Sequence, residues 1–442
     1  MPEPHLPPAE IARLHRRAVE LLPLGSLTHD GGEVPAVWDE ALEALADRLG
    51  HSYPFADPQY VGQMLKPPHP VAWAGYAMAM LVNSNNHAFD GGPATAHLER
   101  EAVDQIARML GHETHLSHLT ASGTIANLEA LWVARSLHPD KVIVSSAQAH
   151  YTHARISEVV GARHETLPST AHGTLDLAAL EERLQAGGVG TVVATLGSTG
   201  LGILDHVERI ADLCEQYEAR LHIDAAYGGF FTLLADGGTP GVAAEPFSAL
   251  PRADSIAIDP HKHGLQPYGC GCILFRDPAV GALYLHDSPY TYFTSDDLHP
   301  GEVSLECSRS GASAAALWAT LRALPLTRDG LGAHLVGART AALDLAARIR
   351  ELDGWTLVLE PDLDIVCWYP TRATASAVST ATDAAFDALA DRGWHAAKLA
   401  VSAEHLGLEA DRPTATVLRS TLMKREHADI VDDFADAIAD LP

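Results

Sequence analysis

Between about residue 90 and residue 275, short apolar runs rich in β-branched residues take turns with helical stretches. This alternation restricts the fold more than any other feature of the sequence. Strands are expected at 142–144, 191–195, 221–224, 255–259 and 270–275. Helices are expected at 95–110, 125–137, 157–160, 175–185 and 207–218, the first ending at Gly111, a natural C-cap. Strands separated by helices pair through crossovers, so the expected core is α/β with a largely parallel sheet. Ligands bind such a sheet outside the carboxyl ends of its strands. The polar residues that follow each strand are therefore the candidates for chemistry.

The flanking segments read differently. Residues 1–90 form a helical arm, with one stripe through Ile11, Leu14, Val19 and Leu22 and further helices at 38–49 and 71–83. Between them, 51–70 is rich in proline, glycine and aromatic residues and cannot be one helix. Gln63 and Lys66 make this stretch a candidate site wall. A large domain spans 91–325 and closes with a helix at 312–324; Pro325 and Gly330 mark a break. A smaller α+β domain follows over 326–442, with helices at 333–352, 382–392 and 427–441 and strands at 355–359, 365–369 and 416–421.

Composition removes several functions. The net charge of −27, from 30 basic and 57 acidic residues, argues against nucleic acid as a partner. Five scattered cysteines in a long chain fit reduced thiols in a cytoplasm better than a disulfide framework. Cys270-Gly-Cys272 is too closely spaced for a zinc knuckle, and His112-Glu-Thr-His115-Leu-Ser-His118 is not H-E-x-x-H, so no metal is expected. The N-terminal stretch lacks a basic-then-apolar signal pattern, and no apolar run reaches the roughly 18 residues of a membrane span.

Lys262 follows the strand at 255–259 within Ser255-Ile-Ala-Ile-Asp-Pro-His-Lys-His263. Lysine is seldom buried, so this position suits either a snorkelling surface residue or a Schiff-base lysine desolvated enough to lose its proton. Asp224 ends the strand of Leu221-His-Ile-Asp224-Ala-Ala-Tyr-Gly-Gly229. It is either a turn residue or an anion facing a cationic ring nitrogen, with Ala225, Ala226 and two glycines leaving room for a flat ring. Ser122-Gly123-Thr124 opens a helix, where free N–H groups and two hydroxyls suit a phosphate as well as an ordinary N-cap. His150, after the strand at 142–144, is a capping or core residue, a general acid, or a ring-stacking group. Gly197-Ser198-Thr199-Gly200 adds hydroxyls at the same edge and is not a G-x-S-x-G nucleophile elbow. Taken together these are the parts of a pyridoxal 5′-phosphate site. The competing dinucleotide site needs G-x-G-x-x-G between strand and helix, and the sequence has none there.

From about Tyr60 to Leu422 the chain resembles the group II pyridoxal-phosphate-dependent amino acid decarboxylases of fold type I. The resemblance is carried by Asp224-Ala-Ala-Tyr-Gly-Gly229 and Asp259-Pro-His-Lys262. Gln148-Ala-His150-Tyr151, Ala194-Thr-Leu-Gly-Ser-Thr199, Glu306-Cys-Ser-Arg-Ser-Gly311 and Leu418-Arg419-Ser support it. Within the family the chain is most similar to the tyrosine decarboxylase and archaeal tyrosine/aspartate decarboxylase branch. Asp259 stands where animal aromatic decarboxylases carry an asparagine near the phosphate.

The resemblance implies roles. Lys262 would carry the Schiff base, Asp224 would keep the pyridine nitrogen protonated, and His150 and Ala226 would lie on the two ring faces. Ser122, Gly123, Thr124 and His261 would hold the phosphate, with Thr199 near the ring hydroxyl. Tyr290, or failing that Tyr292, would protonate the substrate Cα from a loop after the lysine strand. Arg419 would meet the α-carboxylate region. An aromatic substrate such as tyrosine would pack on Tyr60, Met64 and Trp73; aspartate or glutamate, the alternative, would pair with Gln63 or Lys66. Transamination or carbon–carbon lysis on the same cofactor is the nearest rival reaction. The resemblance also implies a homodimer with its site at the subunit interface.

Overall fold

The structure is a computed structural model that describes residues 8–22, 35–285 and 299–441. Its centre is a seven-stranded sheet made of β1 (Leu116–Thr120), β2 (Val142–Ser146), β3 (Arg163–Leu167), β4 (Val189–Thr195), β5 (Arg220–Asp224), β6 (Ser255–Ile258) and β7 (Gly271–Phe275). The strand order is β1-β7-β6-β5-β4-β2-β3. The five strands from β6 to β3 are parallel; β7 runs antiparallel to both its neighbours, β6 and β1.

Both faces of this sheet are covered, which explains why its central strands read as unbroken apolar runs. Side chains alternate between the faces. Ile143, Val193, Ala257 and Ile273 pack towards the helices Gly123–Leu137 and Thr152–Val159. Val192, Ala194, Leu221, Ile223, Ile256 and Ile258 pack on the other side, with the helices Leu177–Gln185 and Val207–Gln216. Gly111 takes φ +85°, the left-handed conformation expected of a helix-ending glycine.

Two strands of this sheet were not anticipated. β1 reads Leu-Ser-His-Leu-Thr, with too few apolar residues to stand out. β3 reads Arg-His-Glu-Thr-Leu and lies mostly exposed at the sheet edge, where polar residues are the usual protection.

A second sheet holds β8 (Trp355–Leu357), β9 (Ile365–Pro370), β10 (Ala397–Ser402) and β11 (Thr414–Thr421) in the order β10-β11-β9-β8, antiparallel throughout. β10 is an edge strand of alternating exposure and was also missed. The helix Ala375–Asp391 begins well before the expected 382, because Thr374 caps it by accepting from Ala377 N at 3.2 Å. Trp368, Trp394 and Phe434 fill this sheet's core, Trp394 stacking on Phe434 with centroids 4.5 Å apart.

The loop after the N-terminal helices ties the two sheets together. Val61 N donates to His395 O at 3.0 Å, Thr421 N donates to Val61 O at 2.6 Å, and His69 N donates to Leu265 O at 2.9 Å. The last of these anchors the loop three residues beyond Lys262.

Candidate active site

Three parallel strands end side by side and deliver the central residues. β4 ends at Thr195, β5 ends at Asp224, and β6 runs into Asp259-Pro-His-Lys262. The N-terminus of the helix Gly123–Leu137 points into the same place, with Ser122 as its cap, accepting from Ile125 N. These residues, with His150, Thr199, Ala226 and His261, surround one cavity of about 160 Å³.

Asp224 is almost fully buried. Its Oδ2 accepts from His153 Nε2 at 2.8 Å, and its Oδ1 accepts from Ala226 N at 3.2 Å. Burial raises its carboxyl, but the His153 hydrogen bond and the charges of His153 and Lys262 more than offset this and hold it below the ordinary carboxylate range. His153 was not singled out from the sequence. The available signal was its spacing from His150, which brings it into the first turn of the helix Thr152–Val159.

Next to Asp224 on the same strand, His222 is fixed between Asn127 Oδ1 (2.7 Å) and Ser255 Oγ (2.9 Å). Burial pushes His222 down to about 3, so it ties helix to sheet as a neutral ring. The His150 ring nitrogen Nδ1 pairs with Thr152 Oγ1 at 2.7 Å, and burial lowers this histidine too.

Lys262 Nζ lies 2.9 Å from Asp259 Oδ2. Burial alone lowers a lysine, but the Asp259 carboxylate, with Asp224 adding to it, holds this ammonium above its ordinary value. The sequence argument wanted an amine desolvated enough to shed its proton. The structure shows an ion-paired ammonium instead, because the carboxylate three residues earlier turns back onto it.

The residues fit pyridoxal 5′-phosphate. The helix N-terminus at Ser122–Thr124 offers N–H groups to a phosphate. A Cβ added at Gly123 would lie 2.6 Å from Asp259 Oδ2, so glycine is required for the loop to approach so closely. Thr195 Oγ1, at the end of β4 on the cavity wall, is buried without a hydrogen-bond partner. Asp224 supplies a buried anion and Lys262 an amine on the walls of the same small cavity.

The residues predicted to recognise substrate are placed apart from this cavity. Arg419, on β11, is buried; its Nη1 donates to Gln63 Oε1 at 3.3 Å, and its Nε has no partner. No carboxylate among the described residues lies within ion-pair distance of it. Its charge does reach Tyr227, which lines the cavity. Tyr227 donates to Asp364 Oδ1 at 2.6 Å. Burial pushes Asp364 up to about 6, with the Tyr227 hydrogen bond and Lys66 pulling the other way.

Lys66 lines a different, larger cavity of about 380 Å³, together with Trp73, Leu265, His334 and Met423. Its Nζ donates to Met423 O at 3.2 Å, and burial lowers it to about 8 against the pull of Asp364 and Glu426. Tyr60 is buried, edge-on to Phe55 with centroids 5.0 Å apart and beneath the Lys424 ammonium. Tyr290 and Tyr292 lie outside the described residues.

Comparison with known proteins agrees with this geometry. Residues 55–370 match the pyridoxal-dependent decarboxylase conserved domain. A probable L-aspartate decarboxylase of Halobacterium salinarum is 30% identical over 347 residues, 78% of this chain and 88% of the relative. The L-aspartate decarboxylase of Thermococcus kodakarensis is 29% identical, covering 74% of this chain and 83% of its own. A probable L-tyrosine/L-aspartate decarboxylase of Methanothermobacter thermautotrophicus is 30% identical over 70% of this chain and 82% of its own. Among solved structures, Oryza sativa TDC with PLP and tryptamine superposes with a TM-score of 0.80 at 19% identity, covering 99% of each chain. Mouse CSAD gives 0.80 at 20% identity over 99% of this chain and 93% of that one, so the fold is shared. The chain belongs to the pyridoxal-dependent decarboxylase family, in its archaeal tyrosine/aspartate branch, and is a pyridoxal-phosphate-dependent amino acid carboxy-lyase.

Proposed function

We propose that the chain removes CO2 from an acidic L-amino acid, with aspartate ahead of the aromatic substrate that the sequence favoured. The observation that carries this choice is the placement of the predicted aromatic wall. Trp73 lines the larger cavity, Tyr60 is committed to packing against Phe55 and Lys424, and neither they nor Met64 line the cofactor cavity. Gln63 and Arg419 stand together, also outside that cavity, and a buried guanidinium without a carboxylate suits the α-carboxylate of either substrate. The relatives named for aspartate support the acidic reading. Tyrosine is the second reading, favoured by the relative named for both substrates.

When bound, pyridoxal phosphate supplies an electron sink for the pair left behind by CO2. Around it, Lys262 would hold the cofactor through its amine, and Ser122, Gly123, Thr124 and His261 would hold the phosphate. Asp224, kept anionic by His153, would hold a proton on the ring nitrogen. His150 and Ala226 would confine the ring from either face, with Thr199 beside its hydroxyl. A neutral His150 would present a ring face without adding a positive charge. Arg419 and Gln63 would orient substrate carboxylate, with Lys66 at the margin. Tyr290, with Tyr292 as the alternate, would return a proton to the substrate Cα.

The proposal includes a homodimer of cytoplasmic subunits built from the segments 1–90, 91–325 and 326–442. The helix Ala36–Leu49 buries none of its residues and exposes Val37, Trp38, Leu42, Leu45 and Leu49, a surface that a second copy would cover. All five cysteines are free, as in a reducing compartment. Among the described residues no helix is long and apolar enough to cross a membrane.

The test is kcat/KM for a panel of L-amino acids. Aspartate at least about tenfold above tyrosine is the expected order, a difference of about 1.4 kcal/mol in transition-state binding. Tyrosine at or above aspartate would overturn the acidic assignment and leave the decarboxylase intact.

A further inference from the structure

One carboxyl group lines the cofactor cavity against the helix N-terminus that would take a phosphate. Asp259 is only 2% exposed. Its Oδ2 contacts Lys262 Nζ at 2.9 Å and stands 3.6 Å from His261 Nε2. Its Oδ1 is buried with no hydrogen-bond partner. The whole carboxylate presses on the first turn of the helix Gly123–Leu137: a Cβ at Gly123 would lie 2.6 and 2.8 Å from its two oxygens. The helix N-terminus and the His261 ring, which would receive a phosphate, therefore face a carboxylate of the chain itself.

We propose that Asp259 is a resident anion of the phosphate seat. It neutralises Lys262 and the helix N-terminus by itself, and it opposes the cofactor's phosphate when that group arrives. Two like charges within a few ångströms, in a site screened from water, repel strongly. This chain would then hold its cofactor more loosely than the same site with a neutral residue, and would exchange it more readily. Asp259 is a positioning residue in this scheme: it aims the Lys262 amine and sets the affinity for the phosphate end, and it takes no part in breaking the substrate's bond.

The inference rests on the assignment of this cavity to the cofactor. It is tested by measuring dissociation constants of the cofactor-free wild type and Asp259→Asn for three probes at one pH and ionic strength. The probes are pyridoxal 5′-phosphate, pyridoxal without its phosphate, and inorganic phosphate. Asn keeps the shape of the side chain and removes the charge. The expected result is that Asp259→Asn binds pyridoxal phosphate and inorganic phosphate about tenfold more tightly or better, with a clearly smaller change for pyridoxal, which reports the Lys262 end alone.

Weaker or equal phosphate binding in the variant would overturn the proposal, because Asp259 would then be part of the cradle or indifferent to it. An equal gain for pyridoxal would overturn it too, since the effect would run through Lys262 alone. Asp259→Ser serves as a second variant with the same expected direction. If neither variant shows a cooperative melting transition, with or without cofactor, Asp259 is a folding residue and the proposal falls. Failure of the wild type to take up pyridoxal phosphate at all would instead refute the cavity assignment.

Discussion

The cofactor cavity and the larger cavity beside Lys66 handle charge in opposite ways. In the first, about 160 Å³ in volume, each buried carboxylate has a side-chain partner: Asp224 is hydrogen-bonded to His153, and Asp259 is paired with Lys262. In the second, about 380 Å³, Lys66 and Lys424 donate to backbone carbonyls and, among the described residues, to no carboxylate, and burial lowers both to about 8. Lys66 and Lys424 are pushed towards the neutral amine, while Lys262 is held as an ammonium. The difference teaches why we propose the smaller cavity as the reactive site: its paired groups lie at the ends of parallel strands, where an open α/β sheet binds its ligands. Asp364 stands between the two spaces, bonded to Tyr227 on one side and sensing Lys66 on the other.

The comparison can be broken first at Lys262. Lys262→Ala should lower CO2 release by about a thousandfold or more, because the amine that carries the cofactor is gone. Retention of more than a tenth of the wild-type rate would move the chemistry elsewhere. Asp224→Asn keeps the shape but removes the anion that His153 and Lys262 face. A loss of about a hundredfold in kcat is expected from steady-state rates, with the cofactor still bound. A change confined to KM would contradict a role at the ring nitrogen.

Arg419→Met should raise KM for the substrate by about tenfold or more while leaving cofactor absorbance unchanged, since this guanidinium has no internal carboxylate to lose. An unchanged KM would remove Arg419 from substrate binding.

Asp364→Asn sharpens the boundary between the cavities. The folded value of Asp364, about 6, is above the ordinary 3.8, so the fold favours its protonated form. Its contribution to stability is fully present below about pH 3.8 and is lost as pH rises through about 6. Thermal unfolding from pH 4 to 7 should therefore show the wild type losing ground to Asp364→Asn across that window. Parallel curves would mean that Asp364 is ionised throughout. The smallest effect is expected at Lys66→Met, where kcat/KM should change less than about threefold. A rise in KM of tenfold would bring Lys66 into substrate binding, as the sequence had suggested.

Much of the site was legible because its residue types are chemically unusual for their positions. A lysine after a core strand, an aspartate ending one, and a Ser-Gly-Thr helix start all lie at strand or helix ends, where order along the chain maps directly onto the sheet edge. His153 and His222 were not legible, because their importance comes from pairing across elements: His153 with Asp224, 71 positions away, and His222 with Asn127, 95 positions away. Lys66 and Trp73, read from the sequence as substrate-wall residues, line the larger cavity and not the one around Lys262. Lys66 sits in a loop with no helical or strand periodicity, whose course is set by bonds to His395 and Leu265, and Trp73 sits in the first turn of the helix Pro70–Val82 that this loop leads into. The edge strands β1, β3 and β10 escaped notice for a related reason. Edge and outer strands carry polar residues, so the apolar signal that revealed β4, β5 and β6 is missing from them.

The most direct test measures CO2 and amine together. Cofactor-loaded wild type and Lys262→Ala would be incubated with L-aspartate, L-glutamate and L-tyrosine, and both products counted. The expected result is one CO2 per amine from the wild type, fastest with aspartate, and neither product above background from Lys262→Ala. Keto acid formed without CO2, or equal CO2 release by both proteins, would contradict the assignment of decarboxylation to this cavity.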